Sequence, residues 1–444
     1  MAPRLRKLAL VLGSALAALL ALTAIALGSA GGFGSTSAHS AAAGPLPGIN
    51  LIGLGFGSTP ADANREVAAA RSLHLKAVRI ELPWSVLQPR GPGELDPHGL
   101  AYADRVIDEA KASGMAVILL VDATPCWATS APKKLRKACR PEKGNPANGF
   151  PPTQPSDFAA FVKELAGRYK DKITALEIWN EPDQANEIYF GGPNKAQRYA
   201  ELVRAAYPAI KQADPNIKVL AGSLVGSNGV FLKALYAAGI KGYYDGLAVH
   251  FYTLTLAALR EFRSIQVASG DNTPLWLDEF GWSSCYPHKK VEEETACVTR
   301  AVQAQNVTNM YRALSKVPYL ATDTLYKLED SRTNQSGVMT LREGRKPSFS
   351  ALARVVLAPN ASPSKVQLSL RSSHGQVTAS GSGPFGDFMR LEAFQGSTLR
   401  YRATFTLDRF NRFKLKLPRV LGAHLRVRVY QEWTGLAGGA TKSV

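Results

Sequence analysis

Two short acidic segments about a hundred residues apart hold the side chains best suited to chemistry. Trp179-Asn180-Glu181-Pro182 closes one strand-like run, and Leu277-Asp278-Glu279-Phe280-Gly281 closes another. Two carboxyl groups at the ends of separate strands can share one sugar, one giving a proton to the leaving oxygen while the other attacks the anomeric carbon. Glu181 and Glu279 are the candidates for this glycosidase chemistry. Asn180 is placed to hydrogen-bond a sugar hydroxyl, and Pro182 stops the strand and fixes the turn. Such chemistry needs neither metal nor organic cofactor, and none is expected.

The elements that must position these groups follow from periodicity. Between residues 48 and 357 short aliphatic or β-branched runs alternate with longer helix-period segments, the pattern of strand-helix units around a parallel sheet. Candidate strands are 49–55, 77–82, 116–121, 173–179, 218–222, 246–251, 275–279 and 322–328. Between them lie amphipathic helices, such as one with Ser156 as cap and Phe158, Phe161, Val162, Leu165 and Tyr169 on one face, and one through Tyr199, Leu202, Val203, Ala206 and Ile210. Eight units fit a closed (β/α)8 TIM barrel better than an open doubly wound sheet, and in a barrel the catalytic groups sit at the C-terminal strand ends. Glu181 ends the fourth candidate strand and Glu279 the seventh. The run Gly53, Gly55, Gly57 lacks the third spaced glycine of a dinucleotide fingerprint and reads as a flexible first loop.

Beyond Pro359 the period changes to two, through Val366, Leu368 and Leu370, then Phe388, Leu391 and Phe394, then Tyr401, Ala403 and Phe405, then Phe413, Leu415 and Leu417, and finally Leu425, Val427 and Val429. This reads as a small C-terminal antiparallel β-sandwich-like domain. The expected organisation is a signal peptide or N-terminal anchor over 1–43, a catalytic barrel over 44–357 and the accessory domain over 358–444. Packing against the barrel is the expected role of that last domain, with carbohydrate binding as the alternative.

With both acidic strand ends on a barrel map, the chain resembles the retaining glycoside hydrolases of clan A over about residues 48–357. Trp179-Asn180-Glu181-Pro182 matches the acid/base motif, and Asp278-Glu279-Phe280-Gly281-Trp282 is similar to the nucleophile motif, with Asp-Glu where Thr-Glu is more usual. Val78-Arg79-Ile80 with Trp84, Thr124-Pro125-Cys126-Trp127, and His250-Phe251-Tyr252 fall at the ends of the second, third and sixth strands. Together they look most like family 39 and its exopolysaccharide-cleaving relatives, with family 5 as the near alternative. The resemblance implies double displacement on a polysaccharide or oligosaccharide. Glu279 would need a cation or donors to stay ionised, which Arg79 and Tyr252 can supply, and Glu181 must hold a proton until it is delivered. Strand parity puts Asp278 and Glu279 on opposite sides of their strand. Arg79 also has Glu177, inside the fourth strand, as a partner. His250 is expected to orient a carboxylate or hydroxyl, Trp84, Trp127 and Trp282 to stack on sugar faces, and Tyr326 to stand where many relatives offer a Trp. A non-catalytic polysaccharide-binding protein on the same scaffold is the alternative from a different class, and a transglycosylase uses the same residues.

Composition sets the setting. Arg4, Arg6 and Lys7 precede an apolar stretch over 8–27 and a small-residue tract to Ala43, which reads as an export signal cleaved near 41–43, with an uncleaved membrane anchor as the alternative. Cys126 with Cys139 and Cys285 with Cys297 read as local disulfides in an exported chain, since spacings of thirteen and twelve lack the close pairs of a zinc site. The protein is thus expected to be secreted or held at the cell surface. Of the net charge of +18, about half comes from residue 361 onward, a balance that favours anionic cell-envelope polymers. Nucleic acid is not expected as a partner, because no recognised binding motif is present.

Overall fold

In the computed structural model the described residues are 44–444 without 52, 54–57, 143, 227, 253–255, 288–296, 343, 362–363, 386–388, 422–423 and 432–439. Eight strands form a closed barrel: β1 (Leu46–Asn50), β2 (Ala77–Pro83), β3 (Ala116–Asp122), β4 (Ala175–Ile178), β5 (Lys218–Leu224), β6 (Gly246–Phe251), β7 (Leu275–Phe280) and β8 (Leu320–Leu325). Each pairs in parallel with the next, and β8 closes on β1 through Gly48 opposite Thr324. Strands such as Ala-Val-Ile-Leu-Leu-Val-Asp are apolar on both faces because helices cover the outside while side chains fill the interior.

The helices are α1 (Pro60–Ser72), α2 (Trp84–Leu87), α3 (Pro97–Ala112), α4 (Lys133–Lys137), α5 (Pro155–Arg168), α6 (Lys195–Ala213), α7 (Val230–Ala237), α8 (Leu256–Ala268), α9 (Arg300–Leu314) and α10 (Pro347–Leu357). Thr59 and Asp62 form a reciprocal capping box at the start of α1. In α5 the cap position falls to Gln154 rather than Ser156, because Pro155, which has no N–H to satisfy, takes the first helical turn.

Inside the barrel the bottom layer is apolar, with Ile118, Ala175, Leu220, Ala248 and Trp276 in mutual contact. Gly246 leaves the space that the Trp276 ring fills. The layer above is polar and buried, holding Arg79, Glu177, His250 and Asp278. The site is built on this second layer.

The C-terminal strands form a three-stranded sheet, β13–β10–β9, and a four-stranded sheet, β12–β11–β14–β15. Their ranges are β9 (Gln367–Ser373), β10 (Gln376–Ser382), β11 (Met389–Gln395), β12 (Thr398–Phe405), β13 (Arg412–Lys416), β14 (Arg426–Gln431) and β15 (Ala440–Ser443). Leu368, Val377, Ala379 and Phe413 from one sheet meet Leu391, Ala393, Val427 and Val429 from the other. Strand β10, Gln-Val-Thr-Ala-Ser-Gly-Ser, is absent from the sequence reading because its inward side chains are too small to mark a period. Phe388 lies outside the described residues, and Phe394, next to the inward Ala393, takes the outward face by simple alternation.

The sandwich is fastened to the barrel. Phe385 is fully buried in the barrel's own core cluster. Asn309 on α9 donates to Pro384 O at 2.8 Å and Asn411 donates to Asn306 Oδ1 at 2.6 Å. Cys126–Cys139 and Cys285–Cys297 are paired at Cα separations of 5.7 and 5.3 Å. Among the described residues no helix is long and apolar enough to cross a membrane; the segment read as an export signal lies outside them, as do Gly55 and Gly57 of the first loop.

Candidate active site

Strand parity sends Arg79 of β2 into the barrel, where its guanidinium becomes the central cation. Nε and Nη2 donate to both oxygens of Glu177 at 2.7 and 2.9 Å, while Nη1 donates to Glu279 Oε1 at 2.6 Å and to Asn50 Oδ1 at 2.8 Å. Nη2 also reaches Asn180 Oδ1 at 3.2 Å. One side chain thus ties the ends of β1, β2, β4 and β7 together. The two roles considered for Arg79, neutralising Glu177 and holding Glu279, coexist.

Glu279 accepts a second bond from Tyr252 Oη. Burial and the negative charge of Glu279 raise the Tyr252 hydroxyl well above the ordinary phenol range, so it stays a donor. Glu181 follows the short strand β4 in a left-handed backbone conformation, φ 48°, two residues after Trp179 at φ 70°. For residues with a Cβ this is a costly geometry, and here it turns the carboxyl over the barrel mouth. His250 Nδ1 lies 2.8 Å from Glu181 Oε1, and Gln184 Nε2 donates to Oε2 at 3.1 Å.

Asp278 corrects the parity argument. The β6–β7 register runs Val249 to Leu277 and then His250 to Glu279, so Asp278 is the extra residue of a bulge. Both Asp278 and Glu279 therefore face inward. Asp278 approaches His250 Nε2 at 3.3 Å and Arg79 Nε at 3.5 Å, while Glu279 Oε2 stands 3.6 Å from His250 Nδ1. Burial alone would neutralise the imidazole, but Glu279, Asp278 and Glu181 together hold His250 well above its usual range. Burial likewise opposes ionisation of Asp278, yet Arg79 and His250 keep its carboxyl below the ordinary value. Burial pushes Glu177 up to about 8, with the charge of Asp278 adding to that and Arg79 opposing it.

Above this network lies a cleft of about 840 Å³ lined by Asn180, Glu181, Glu279 and Tyr326, and by Glu81 and Asp122 at the ends of β2 and β3. Asn145 and Asn148 come from the long loop after β3, and Arg65, Lys327 and Glu329 from the α1 and β8 sides. Tyr326 stands edge-on to Tyr252 at 5.7 Å. The three tryptophans expected to stack on sugar are elsewhere. Trp84 and Trp282 are 0% and 2% exposed in the core, and Trp127 is packed edge-on against Trp84 with its indole N–H bonded to Gln88 O. Trp84 begins α2 beyond Pro83 and turns toward Phe158 and Phe161 of α5. Of the residues not foreseen, Asn50, Glu81 and Asp122 carry a legible signal, a polar side chain at an inward position of an otherwise apolar strand. Asn148 carries none, since only loop geometry brings it to the cleft.

Glu177, His250 and Asp278, and also Glu181, His250 and Glu279, each bring potential metal ligands within 4.8 Å of one another. The Arg79 guanidinium already occupies Glu177 and Glu279, and a charged imidazole has no lone pair to offer. These groups suit acid–base and nucleophilic chemistry better than metal coordination.

An eight-stranded parallel barrel with acidic β4 and β7 ends facing one cleft defines a clan A glycoside hydrolase. The chain belongs to the cellulase family, glycosyl hydrolase family 5, whose model matches residues 47–317. The sequence motifs resemble family 39 first and family 5 next, and similar solved structures include family 39 enzymes. One, from the gut symbiont Bacteroides cellulosilyticus WH2, is 16% identical with a TM-score of 0.54 over 85% of this chain and 80% of that one. Another, from Xanthomonas axonopodis pv. citri, is 14% identical with a TM-score of 0.54 over 85% and 93%. A family 39 β-xylosidase from Caulobacter crescentus is 16% identical with a TM-score of 0.51 over 79% and 83%. At these identities the likeness is one of fold. Among curated proteins none matches the sequence. The protein is a glycosidase acting on carbohydrate.

Proposed function

We propose that this glycosidase is an exported, retaining hydrolase of polysaccharides or oligosaccharides that works by double displacement. The observation that carries the reading is the closeness of the two strand-end carboxyls. Oxygens of Glu181 and Glu279 come within 4.8 Å, with His250 between them. A carboxyl separation of about 5 Å suits direct attack, whereas inversion needs room for a water at roughly 6.5–9.5 Å.

In the first step a Glu279 oxygen attacks the anomeric carbon as Glu181 gives its proton to the departing glycosidic oxygen. The product is a glycosyl ester on Glu279. In the second step Glu181, now a carboxylate, takes a proton from water; the water oxygen bonds to the anomeric carbon and Glu279 leaves. The buried charges support these assignments. The cations Arg79 and His250 stand among Glu177, Glu181, Asp278 and Glu279, so the carboxyls of the site are held against positive charge. Arg79 and Tyr252 donate to the nucleophile and align it. The amide of Asn180, whose oxygen is taken by Arg79, is left to meet the hydroxyl beside the reacting carbon.

Activity of the purified protein on a polysaccharide panel, with anomer analysis of the first product by NMR, tests the reading. Glu181→Gln should lose about 10²–10⁴-fold in kcat while remaining folded, and Glu279→Gln at least as much. Product of inverted configuration, or parental turnover by Glu279→Gln, would overturn the mechanism.

A further inference from the structure

Of the thirteen basic residues beyond position 360, four lie on the β13–β10–β9 sheet without an acid, while the other sheet holds six together with Glu392, which is paired with Arg402. In the β13–β10–β9 sheet, Leu368, Val377, Ala379 and Phe413 face the core, so the alternate residues face outward. Register then arranges the outward side chains in rows. Lys416 of β13 stands beside Thr378 of β10, which stands beside Arg371 of β9, and Lys414 stands beside Ser380 in the next row. Arg412 begins a third row. Arg371, Arg412, Lys414 and Lys416 are all exposed, and no acidic residue belongs to these three strands. The nearest acid by sequence, Asp408, is turned to the backbone N–H groups of Phe410 and Arg412.

The face is therefore fourfold positive and threaded by hydroxyls. Along β13 the cations recur every second residue, about 7 Å apart, with neighbouring strands about 4.8 Å away, a ladder suited to an extended polymer with regularly spaced anions. No outward position of the three strands carries an aromatic ring, and Phe410 beside them is covered by Arg412, which argues against single-stranded nucleic acid, whose bases need stacking platforms. Its outward side chains include no large apolar group, which argues against insertion into a lipid surface. Arginine forks fit carboxylates, and the serine and threonine hydroxyls of β10 suit sugar hydroxyls.

We propose that the outer face of the β13–β10–β9 sheet is a docking surface for a carboxylate-bearing glycan, a polyuronate, which holds the enzyme on an anionic matrix. The choice of a glycan rests on the protein acting on carbohydrate; the face itself is defined by register and charge.

The probe is polygalacturonate, titrated against the full-length protein at low and high salt. Lys414→Glu with Lys416→Glu cancels the fourfold charge and should weaken binding about tenfold or more, equivalent to about 1.4 kcal/mol, with unchanged far-ultraviolet circular dichroism and melting temperature. Lys233→Glu with Lys316→Glu makes the same change in net charge on the exposed barrel surface and should alter binding less than about twofold. Equal losses in the two pairs would overturn the proposal, as would absence of salt-sensitive binding. Binding of a glycerol-phosphate polymer or of single-stranded DNA as tightly as polygalacturonate would also overturn it. Hydrolysis of a soluble neutral glycan is followed in parallel, so that a failure of the catalytic reading with binding intact is recognised as such.

Discussion

Asp278 illustrates how much of this site depends on one extra residue in a strand. With Trp276 inward, a regular β7 would point Asp278 into the barrel and Glu279 out of it; the bulge at Asp278 turns Glu279 inward as well, while Asp278 stays on His250 and Arg79. Removing its charge by Asp278→Asn takes away an anion that favours imidazolium, so His250 should lose its proton at lower pH. The expected result is an alkaline limb of the pH–rate profile displaced toward acid by about one unit, with each unit equivalent to about 1.4 kcal/mol. An unmoved limb in a folded Asp278→Asn variant would show that the contact does not govern catalysis. Arg79→Lys is expected to be more damaging than its conserved charge suggests, because a single ammonium cannot grip Glu177 with two donors and reach Glu279 as well.

Helix α1 carries its own titratable device. Glu66 is fully buried, accepts from Tyr102 Oη of α3 at 2.9 Å, and is raised by burial to about 7 from an ordinary 4.5. Because the folded value exceeds the unfolded one, its contribution to stability is fully present below pH 4.5 and is lost as pH rises toward 7. Above that range the ionised side chain costs roughly 3 kcal/mol. Glu66→Gln should therefore raise the melting temperature at pH 8 more than at pH 4, and equal shifts at both would refute the assignment. The Cys126–Cys139 loop is another local device, closing thirteen residues of separation beside the segment that supplies Asn145 and Asn148 to the cleft. Replacing both cysteines by serine is expected to cost about 2–4 kcal/mol and to raise KM more than it lowers kcat, measured by denaturant titration and steady-state kinetics.

The barrel and the sandwich share buried polar bonds rather than a loose tether. Asn309 and Asn411 are both about fully buried, and Asn309 both donates to Pro384 O and accepts from Ser364 N. Asn309→Leu leaves the Ser364 N–H without this partner and Pro384 O with only the 3.5 Å bond from Asn411, at about 1–3 kcal/mol for the lost N–H bond. Chemical denaturation should report the loss. Ending the chain at residue 357 would also expose α9 and empty the position of Phe385 in the barrel core, so such a fragment should be poorly soluble. A well-folded, soluble fragment with parental melting behaviour would show that the sandwich is dispensable for the barrel.

Periodicity alone made most of the scaffold legible: all eight barrel strands, the helices between them and five of the seven later strands announce themselves through apolar spacing, which burial enforces locally. The acidic ends of β4 and β7 were legible for a related reason, since a charged residue closing an apolar run has few uses other than chemistry at a barrel mouth. Tertiary structure alone decided that Glu279 faces the same way as Asp278, because parity counts hold only while the ladder is regular. It also decided that Trp84 and Trp282 belong to the core, since an aromatic near a strand end can turn toward the helices as readily as toward the cleft. Above all, Arg79 and Glu279 are 200 residues apart in the chain and 2.6 Å apart in the fold. Such a pairing depends on closure of the barrel, and no local preference of the sequence encodes it.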